Sequence, residues 1–426
     1  MRGETLSPRY RGARPLVVFA VFALAYFLSQ FFRHANAVIS EEVAGDLSLG
    51  AARMGLMTSL FYGVFALAQL PLGSALDRFS ARWVTPALMS AAVAGALLFG
   101  AAHSFGTLAA GRGLLGLGMA GVLMGSYMSF GHWFPARRFA TMAGLLVGIG
   151  SLGGLGAASP LAWFSESYGW RSVFFLGAAG VVVSAVAILV WGGDPPEARS
   201  AASVSAGGLG DVFRSVTFWR IAPLNLFMGG AMLAIQSLWA GPFLFDVAGF
   251  STLQTGRLLT LLSVGAALGY VVCGWLADRV GLVRVLLFSA VVFLLAELAF
   301  LAMAVRPVVV VLSAQYLLFG FSGAFQILLL VQVRACFPPS LRGRAVTALN
   351  VFGIGGAALL QWAMGLIIGS FTRDAVSQYP PLAYFVAFAF TSVGLVAAVA
   401  WYLPLARASR GQVAVETVSP RPAGSA

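Results

Sequence analysis

The sequence predicts an all-α membrane protein with about twelve transmembrane helices, arranged as two pseudo-symmetric bundles of six. Composition is the first reason: 60% of the 426 residues are hydrophobic and only 9% are charged, against about 25% charged in an ordinary soluble domain. The second is that apolar stretches of about 20 residues, the length that crosses a bilayer as a helix, recur along the whole chain. The third is a charged phrase written twice. Gly73-Ser-Ala-Leu-Asp77-Arg78-Phe-Ser-Ala-Arg82 follows one apolar run, and Gly274-Trp-Leu-Ala-Asp278-Arg279-Val-Gly281-Leu-Val-Arg284 follows another. An offset of roughly 200 residues between the copies signals duplicated architecture. Alternating polar-in strands are absent, which disfavours an outer-membrane barrel.

The length rule places spans near 15–39, 52–75, 83–102, 105–130, 139–163, 171–192, 218–245, 254–277, 284–305, 307–334, 345–370 and 381–404. Residues 1–14 read as a cytoplasmic N-terminal segment: they are basic, and the apolar run behind them is too long for the core of a cleavable signal. Residues 15–192 form the first bundle. The longest polar break, with Asp194-Pro-Pro-Glu197 and a Ser/Ala/Gly-rich stretch, makes 193–217 a flexible cytoplasmic linker. Residues 218–404 form the second bundle, and the polar 405–426 a disordered cytoplasmic tail.

The formal net charge is +12, and every basic residue is Arg. Without Lys there is no Walker-type phosphate loop and no Schiff-base lysine. The arginines cluster in short loops between apolar runs, a placement that argues for membrane topology and against nucleic acid. With the N-terminus inside, about 18 of the 26 fall in inner segments, so both termini are expected in the cytoplasm of a bacterium and the chain in its inner membrane. Cys273 and Cys336 have no metal-ligand spacing and read as small buried residues.

In each copy of the repeated phrase, Gly and Asp stand four residues apart on one face of a helix end. Gly lets a neighbouring helix approach. Gly73, Asp77, Arg78 and Arg82 in one half, and Gly274, Asp278, Arg279 and Arg284 in the other, could then clamp a loop to a helix end in one conformational state and release it in another. The plainer reading, loop arginines as topology signals, weakens when two copies stand at matching places.

The phrase resembles the loop 2–3 signature of the major facilitator superfamily, G-x-x-x-D-[RK]-x-G-x-[RK], and its second copy the loop 8–9 counterpart; Ser80 stands where the family usually has Gly. Arg112-Gly-Leu-Leu-Gly116-Leu-Gly118 resembles the family's span 4 motif, and Trp133-Phe-Pro135-Ala-Arg137-Arg138 is echoed by Phe337-Pro338-Pro-Ser-Leu-Arg342-Gly-Arg344. The resemblance covers essentially the whole chain. It implies two six-helix bundles that rock about a midplane cavity in alternating access, in a monomer without cofactor. Gly121/Gly125, Gly144/Gly148 and Gly150/Gly154 are small-xxx-small pairs suited to close helix contacts.

Arginines inside spans carry the functional signal, because burying one costs at least ~2.5–3.5 kcal/mol. Counting 1.5 Å per residue from the expected span ends, Arg33 and Arg112 both lie roughly 12–14 Å below the outer edge. Two cations at one level repel unless an anion lies between them, which points to an anionic substrate. The bland alternatives are that Arg33 snorkels outward and that Arg112 is structural. Phe32-Arg33-His34-Ala-Asn36 further resembles span 1 of the organophosphate:phosphate antiporter and anion:cation symporter branches, where an Arg binds the anion. The matching span 7 Arg of the organophosphate antiporters is missing, and span 7 offers Asn225, Gln236 and Trp239 instead. A carboxylate or larger organic anion therefore fits better than a sugar phosphate. Nitrate porters are set aside, since no Arg stands mid-span in spans 2 and 8 and Gly144–Gly156 has no Asn. Drug antiporters are demoted by the lack of a span 1 acid and of a Gly-Pro pair in span 5.

Glu297 is the one acid deep in a span and, with His34, is a candidate proton-coupling group. Tyr26, Gln30, Tyr62, Gln236, Trp239, Gln326 and Asn350 complete the candidate lining. The expected function is secondary active transport of a small organic anion, with protons as the coupling ion. Export of amphipathic compounds, siderophore uptake, and a sensor or assembly factor that moves nothing remain alternatives. No nucleophile–base or metal-ligand cluster suggests an enzyme.

Overall fold

A backbone inside a bilayer must satisfy its own hydrogen bonds, which makes long helices the form available to these apolar stretches. The computed structural model describes residues 14–192, 209–305, 307–338, 341–374 and 378–418. Among them eleven helices are long and apolar enough to cross a membrane, and a bent pair, Thr141–Gly156 with Ser159–Tyr168 at 40°, makes a twelfth span. Span 1 is Arg14–His34, prolonged by Asn36–Asp46. Span 2 is Ala51–Arg78, span 3 Ala81–Gly100, span 4 Phe105–Met119 with Val122–Trp133, span 5 Ala136–Gly156 with Ser159–Tyr168, and span 6 Trp170–Trp191. Span 7 is Val216–Ala248, span 8 Thr252–Val280, span 9 Leu282–Val305, span 10 Val309–Gly323 with Ile327–Cys336, span 11 Arg342–Gly369 and span 12 Pro381–Val418. Each expected span has its helix. Twelve crossings bring Arg14 and the end of span 12 to one side, here the terminal face; the other is the distal face.

Some of the expected segments fall elsewhere. Residues 1–13, 193–208 and 419–426, which hold most of the N-terminal segment and linker and the end of the tail, lie outside the described residues. The last helix runs on to Val418 instead of stopping near 404. Cys273 is buried as expected, but Cys336 is exposed.

Helix starts follow local chemistry. Ser104 with Thr107 and Ser251 with Gln254 form capping boxes that satisfy the first amides of spans 4 and 8. The departure at Ser80 has a physical reason: its hydroxyl accepts from Arg82 N and caps span 3. In the second copy Gly281 adopts φ 100° at the same turn, a conformation that favours glycine.

Spans 1, 4, 7 and 10 are interrupted near mid-depth. Span 1 breaks at Ala35 and span 4 at Ala120-Gly121. Span 7 widens to π-helix at Asn225–Gly230 and again at Ile235–Trp239. Span 10 tightens to 3-10 helix at Ala324–Gln326. Interrupted helices at equivalent places in two halves are the usual architecture of a midplane binding site.

Neighbouring spans interlock through glycines. A Cβ at Gly116 would collide with the carbonyl of Phe61 in span 2, and one at Gly153 with that of Phe27 in span 1. Gly265 meets Leu317, and Gly320 meets Leu262, in the same way between spans 8 and 10. Of the glycine pairs read from the sequence, Gly121/Gly125 pack on Leu88 and Thr85 and Gly150/Gly154 on Tyr26 and His34, whereas Gly144 and Gly148 face open space.

Gly116→Ala should therefore lower thermal stability by about 1–3 kcal/mol, the usual cost of overpacking. Gly148→Ala should leave the melting temperature unchanged or raise it. Thermal unfolding of the two detergent-purified variants compares them directly; equal losses would contradict the packing described.

Candidate functional site

The two halves meet tightly only toward the distal face. A Cβ on Gly241 of span 7 would strike Ala37 of span 1, and one on Gly55 of span 2 would strike the Gln361 carbonyl of span 11. Ser159 and Thr260 hydroxyls stand 2.8 Å apart between spans 5 and 8, and Leu253 N donates to Glu166. Toward the terminal face Gly73, Gly144, Gly148, Gly274, Gly343 and Gly355 have nothing within 4 Å. The halves are thus closed distally and apart at the terminal face.

At mid-depth the break in span 1 sets the centre of the site. Arg33 is half-buried. Its guanidinium carbon lies 5.0 Å from the Phe65 ring centroid and 5.9 Å from that of Tyr62 in span 2. Its buried Nε has no hydrogen-bond partner, and no carboxylate pairs with it among the described residues. Such a cation is held by aromatic faces and left free to take an anion. His34 points the other way, toward spans 5 and 8: a Cβ on Gly154 would sit 3.4 Å from its Nδ1 and 4.0 Å from Ser263 Oγ. Its Nδ1 lies 2.8 Å from the Gln30 carbonyl. A carbonyl only accepts, so Nδ1 carries the proton and Nε2 presents a lone pair. Gln236, in the second π-helical turn of span 7, approaches His34, and its neighbour Ser237 approaches Tyr62.

Arg112 lies near the same His34 and Tyr62 as Arg33. It is fully buried, donates to the Phe32 carbonyl at 2.9 Å and lies over the rings of Phe61 and Phe99. Phe32 is in the last turn of the first segment of span 1, where carbonyls lose their helical partners. Arg112 therefore supports the break that presents Arg33 and His34. The Nε and Nη2 of Arg112 are buried without a hydrogen-bond partner, so both span arginines keep donor atoms unspent, Arg112 fully buried and Arg33 half-buried.

Other expected lining residues divide by depth. Tyr26 packs over Gly150 of span 5, with Gln30 one turn above it. Tyr270 of span 8, which sequence reading missed, stands near Tyr26 and Gln326. Asn225 donates to the Leu349 carbonyl, bringing span 7 against span 11 beside the half-buried Asn350. Glu297 lies elsewhere: it is fully buried between spans 9 and 12, facing Thr391 and Ser392. The structure does not bring it to the site.

Trp239 belongs to the distal seal. Its indole donates to the Gln361 carbonyl at 3.0 Å and packs against the places where Gly55 and Gly365 spare a side chain. Above it a cavity of about 470 Å³ opens distally, lined among others by Glu41, Met54, Asp246, Arg373 and Tyr384. Burial and the neighbouring Asp246 and Glu42 carboxylates push Glu41 above its ordinary pKa. The segment before span 12 holds this face shut. Tyr379 Oη accepts from Ala51 N at 2.9 Å, capping a helix start that has no side-chain cap of its own. Arg373 donates to the Leu49 carbonyl at 2.6 Å, and Asp246 accepts from Tyr384 Oη at 2.6 Å.

On the terminal face, the described contacts of the repeated phrase stay within their own halves. Arg82 donates to Leu189 within its own half, and Arg279 lies over Trp275. Asp278 and Arg284 are exposed, and the side chain of Asp77 lies outside the described residues. Arg78 is exposed beside Phe79.

With this geometry in view, a sequence model of the Major Facilitator Superfamily matches residues 22–258 and 225–425. A probable nitrate/nitrite transporter, NarK2, of Mycobacterium tuberculosis is 29% identical over 59% of this chain and 64% of its own length. The hexuronate transporter of Escherichia coli K12 is 21% identical over 60% and 63%. The gentisate transporter of Corynebacterium glutamicum is 24% identical over 77% of both chains. The chain thus spans less than two thirds of the first two of these relatives. A nitrate porter set aside on span 2, 5 and 8 residues is nonetheless among them. In fold, the chain resembles an inward-facing, occupied bacterial homologue of the human lysosomal transporter spinster (TM-score 0.77, 20% identity, 93% of this chain and 97% of that one). It also resembles the nucleoside transporter NupG (TM-score 0.75, 15% identity, 92% and 99%).

Tyr379→Phe leaves Ala51 N without its partner, a loss of about 1–3 kcal/mol. A cysteine replacing Met54, in a chain with both native cysteines changed to Ser, should then react several-fold faster with a maleimide. Unchanged labelling would show that Tyr379 does not hold the distal face.

Proposed function

Because the chain belongs to the Major Facilitator Superfamily, we propose that it is a secondary active transporter carrying a small organic anion across the bacterial inner membrane by alternating access, coupled to protons. One observation carries the reading: Arg33 stands at mid-depth against aromatic faces with no carboxylate among the described residues to neutralise it. A lone cation in a low-dielectric site lowers its free energy by binding an anion, and the relatives named above are transporters of nitrate/nitrite, hexuronate and gentisate.

Each part of the cycle has residues to perform it. The anion enters from the open face and docks on Arg33, with Gln30, Tyr62, Gln236 and His34 around it. His34 Nε2 presents the lone pair there that can take a proton; a proton on it beside Arg33 strengthens the hold on an anion, which couples the two. Closing the terminal face brings the two charged phrases to their neighbouring helix ends, while Tyr379, Arg373 and Trp239 let go of spans 2 and 11. The positive-inside distribution of arginines supports a cytoplasmic terminal face. A second reading, an inorganic anion, is favoured by the likeness to the probable nitrate/nitrite transporter.

Uptake of radiolabelled organic anions into proteoliposomes, with and without a proton gradient, tests the proposal. Arg33→Gln should reduce uptake roughly 10- to 100-fold, the value of a charge-assisted hydrogen bond, while the protein stays folded. Uptake unaffected by the substitution would remove Arg33 from the binding site. His34→Asn should abolish stimulation by the gradient and retain exchange of anion for anion; stimulation that survives would place coupling elsewhere.

A further inference from the structure

The distal face closes where span 1 meets span 7, and each of them brings a carboxylate to the seam. A Cβ on Gly241 would strike the Ala37 backbone. Both helices run on from that contact toward the distal face. Glu41, one turn beyond Ala37, and Asp246, little more than one turn beyond Gly241, therefore stand at nearly one level, about 6–8 Å above it. Both line the same distal cavity. They belong to different halves. The segment carrying Glu41 is tied to the first half: Glu42 accepts from Ser165 Oγ at 2.7 Å, and Asp46 accepts from Trp170 Nε1 at 2.9 Å and from Arg171. Asp246 is tied to the second half, accepting from Tyr384 Oη at 2.6 Å and from Tyr379 N at 3.3 Å.

The surroundings are acidic. Arg373 is the basic residue in the cavity lining; it donates to the Leu49 carbonyl and lies over the Tyr379 ring at 4.7 Å. Against it stand Glu42, Asp46 and Glu166 from the first half and Asp374 from the second. Arg171 of span 6 pairs with Asp46, and Arg53 of span 2 lies over Phe105. Span 7 adds the neutral Trp239 and Pro242. Two ionised carboxylates from opposite halves in one half-closed cavity repel, and the repulsion opposes closure. Burial and the Asp246 and Glu42 carboxylates hold Glu41 above the usual carboxylate range. A proton on one of the pair removes the repulsion and can be shared between them.

We propose that Glu41 and Asp246 form a proton-binding site that exists while the distal face is shut, so that a proton taken from the distal side locks that face. The proposal rests on the alternating access described above and is separate from a proton on His34. When the halves part distally the two acids separate, and Glu41 returns toward ordinary carboxylate behaviour. The shut state then binds the proton more tightly than the open one. Its advantage is complete below the ordinary carboxylate range and is lost as pH rises through the raised value of the shut state.

A pair of spin labels reads the opening as a distance. Tyr168→Cys and Val305→Cys place them at exposed distal ends of spans 5 and 9, one in each half, in a full chain with Cys273 and Cys336 changed to Ser and held in lipid nanodiscs. Between about pH 5 and about pH 8, a range that spans the shift of a carboxyl from neutral to ionised, the ratio of short to long distances should fall several-fold. Glu41→Gln should keep the short distance at both pH values, and Glu41→Asp should keep the response. Glu42→Gln, whose partner Ser165 lies in its own half, should keep it too. Should Glu41→Gln fail to fold, Glu41→Ala serves in its place. A pH response that survives the loss of the Glu41 carboxyl, or two distances whose ratio ignores pH, overturns the proposal and leaves alternating access standing. A single distance at every pH in the unaltered pair overturns both.

Discussion

Inside a bilayer the backbone has no solvent to turn to, so a helix that is interrupted there must find partners for the groups it frees. This constraint orders the molecule. Spans 2, 3, 6, 8, 9, 11 and 12 run as single helices, while spans 1, 4, 7 and 10 are interrupted at mid-depth. Protein groups meet the need: Arg112 reaches across from span 4 to the Phe32 carbonyl beside the break in span 1, and Asn225 ties the first π-helical turn of span 7 to span 11. A guanidinium kept wholly from water is costly. It is retained where it holds open the bend from which Arg33 and His34 face different neighbours.

The two faces of the molecule are built from unlike interactions, and that difference makes a rocking motion physically reasonable. The distal seal is polar and specific: Tyr379 and Arg373 bind the two backbone groups at the start of span 2, and the Trp239 indole binds a carbonyl of span 11. A few hydrogen bonds worth about 1 kcal/mol each can be exchanged for others of similar strength. The terminal face carries exposed charges at Asp278, Arg279 and Arg284, the second of them over the Trp275 ring. Within each half, by contrast, glycine-to-backbone contacts such as Gly116 on Phe61 and Gly265 on Leu317 leave little room to slide. Rigid halves and an exchangeable seam are what a two-state transition requires.

The fold was legible in the sequence because its two determinants, apolar length and duplication, are one-dimensional. Depth was legible for the same reason, and counting 1.5 Å per residue put Arg33 at the level where span 1 breaks. Direction around the helix was not. Arg112 and Glu297 stand at informative depths, yet one turns to the Phe32 carbonyl and the other to Thr391 and Ser392 of span 12. In a helix that is apolar on nearly every side, no polar face marks which way a residue points. The π-helical turns of span 7 left a faint trace in Gly229-Gly230, and the role of Tyr379 left none, since it depends on the start of a helix more than 300 residues away.

Charge balance joins the site to its energetics. Among the described residues, Arg33 meets no carboxylate, Arg112 spends one nitrogen on backbone, and the buried Glu297 carboxylate lies between spans 9 and 12. An empty site therefore holds a net positive charge whose cost in low dielectric is eased by neighbouring rings and by the water of the open face. Closing that face around an empty site would strip the water and leave the cation exposed to its full desolvation cost, whereas an anion on Arg33 removes it. On the transport reading proposed above, occupancy by an anion makes the closed state accessible, and a protonated His34 beside Arg33 would need an anion all the more. On that reading the Arg33 guanidinium is both the binding group and the element that keeps an unloaded molecule from turning over.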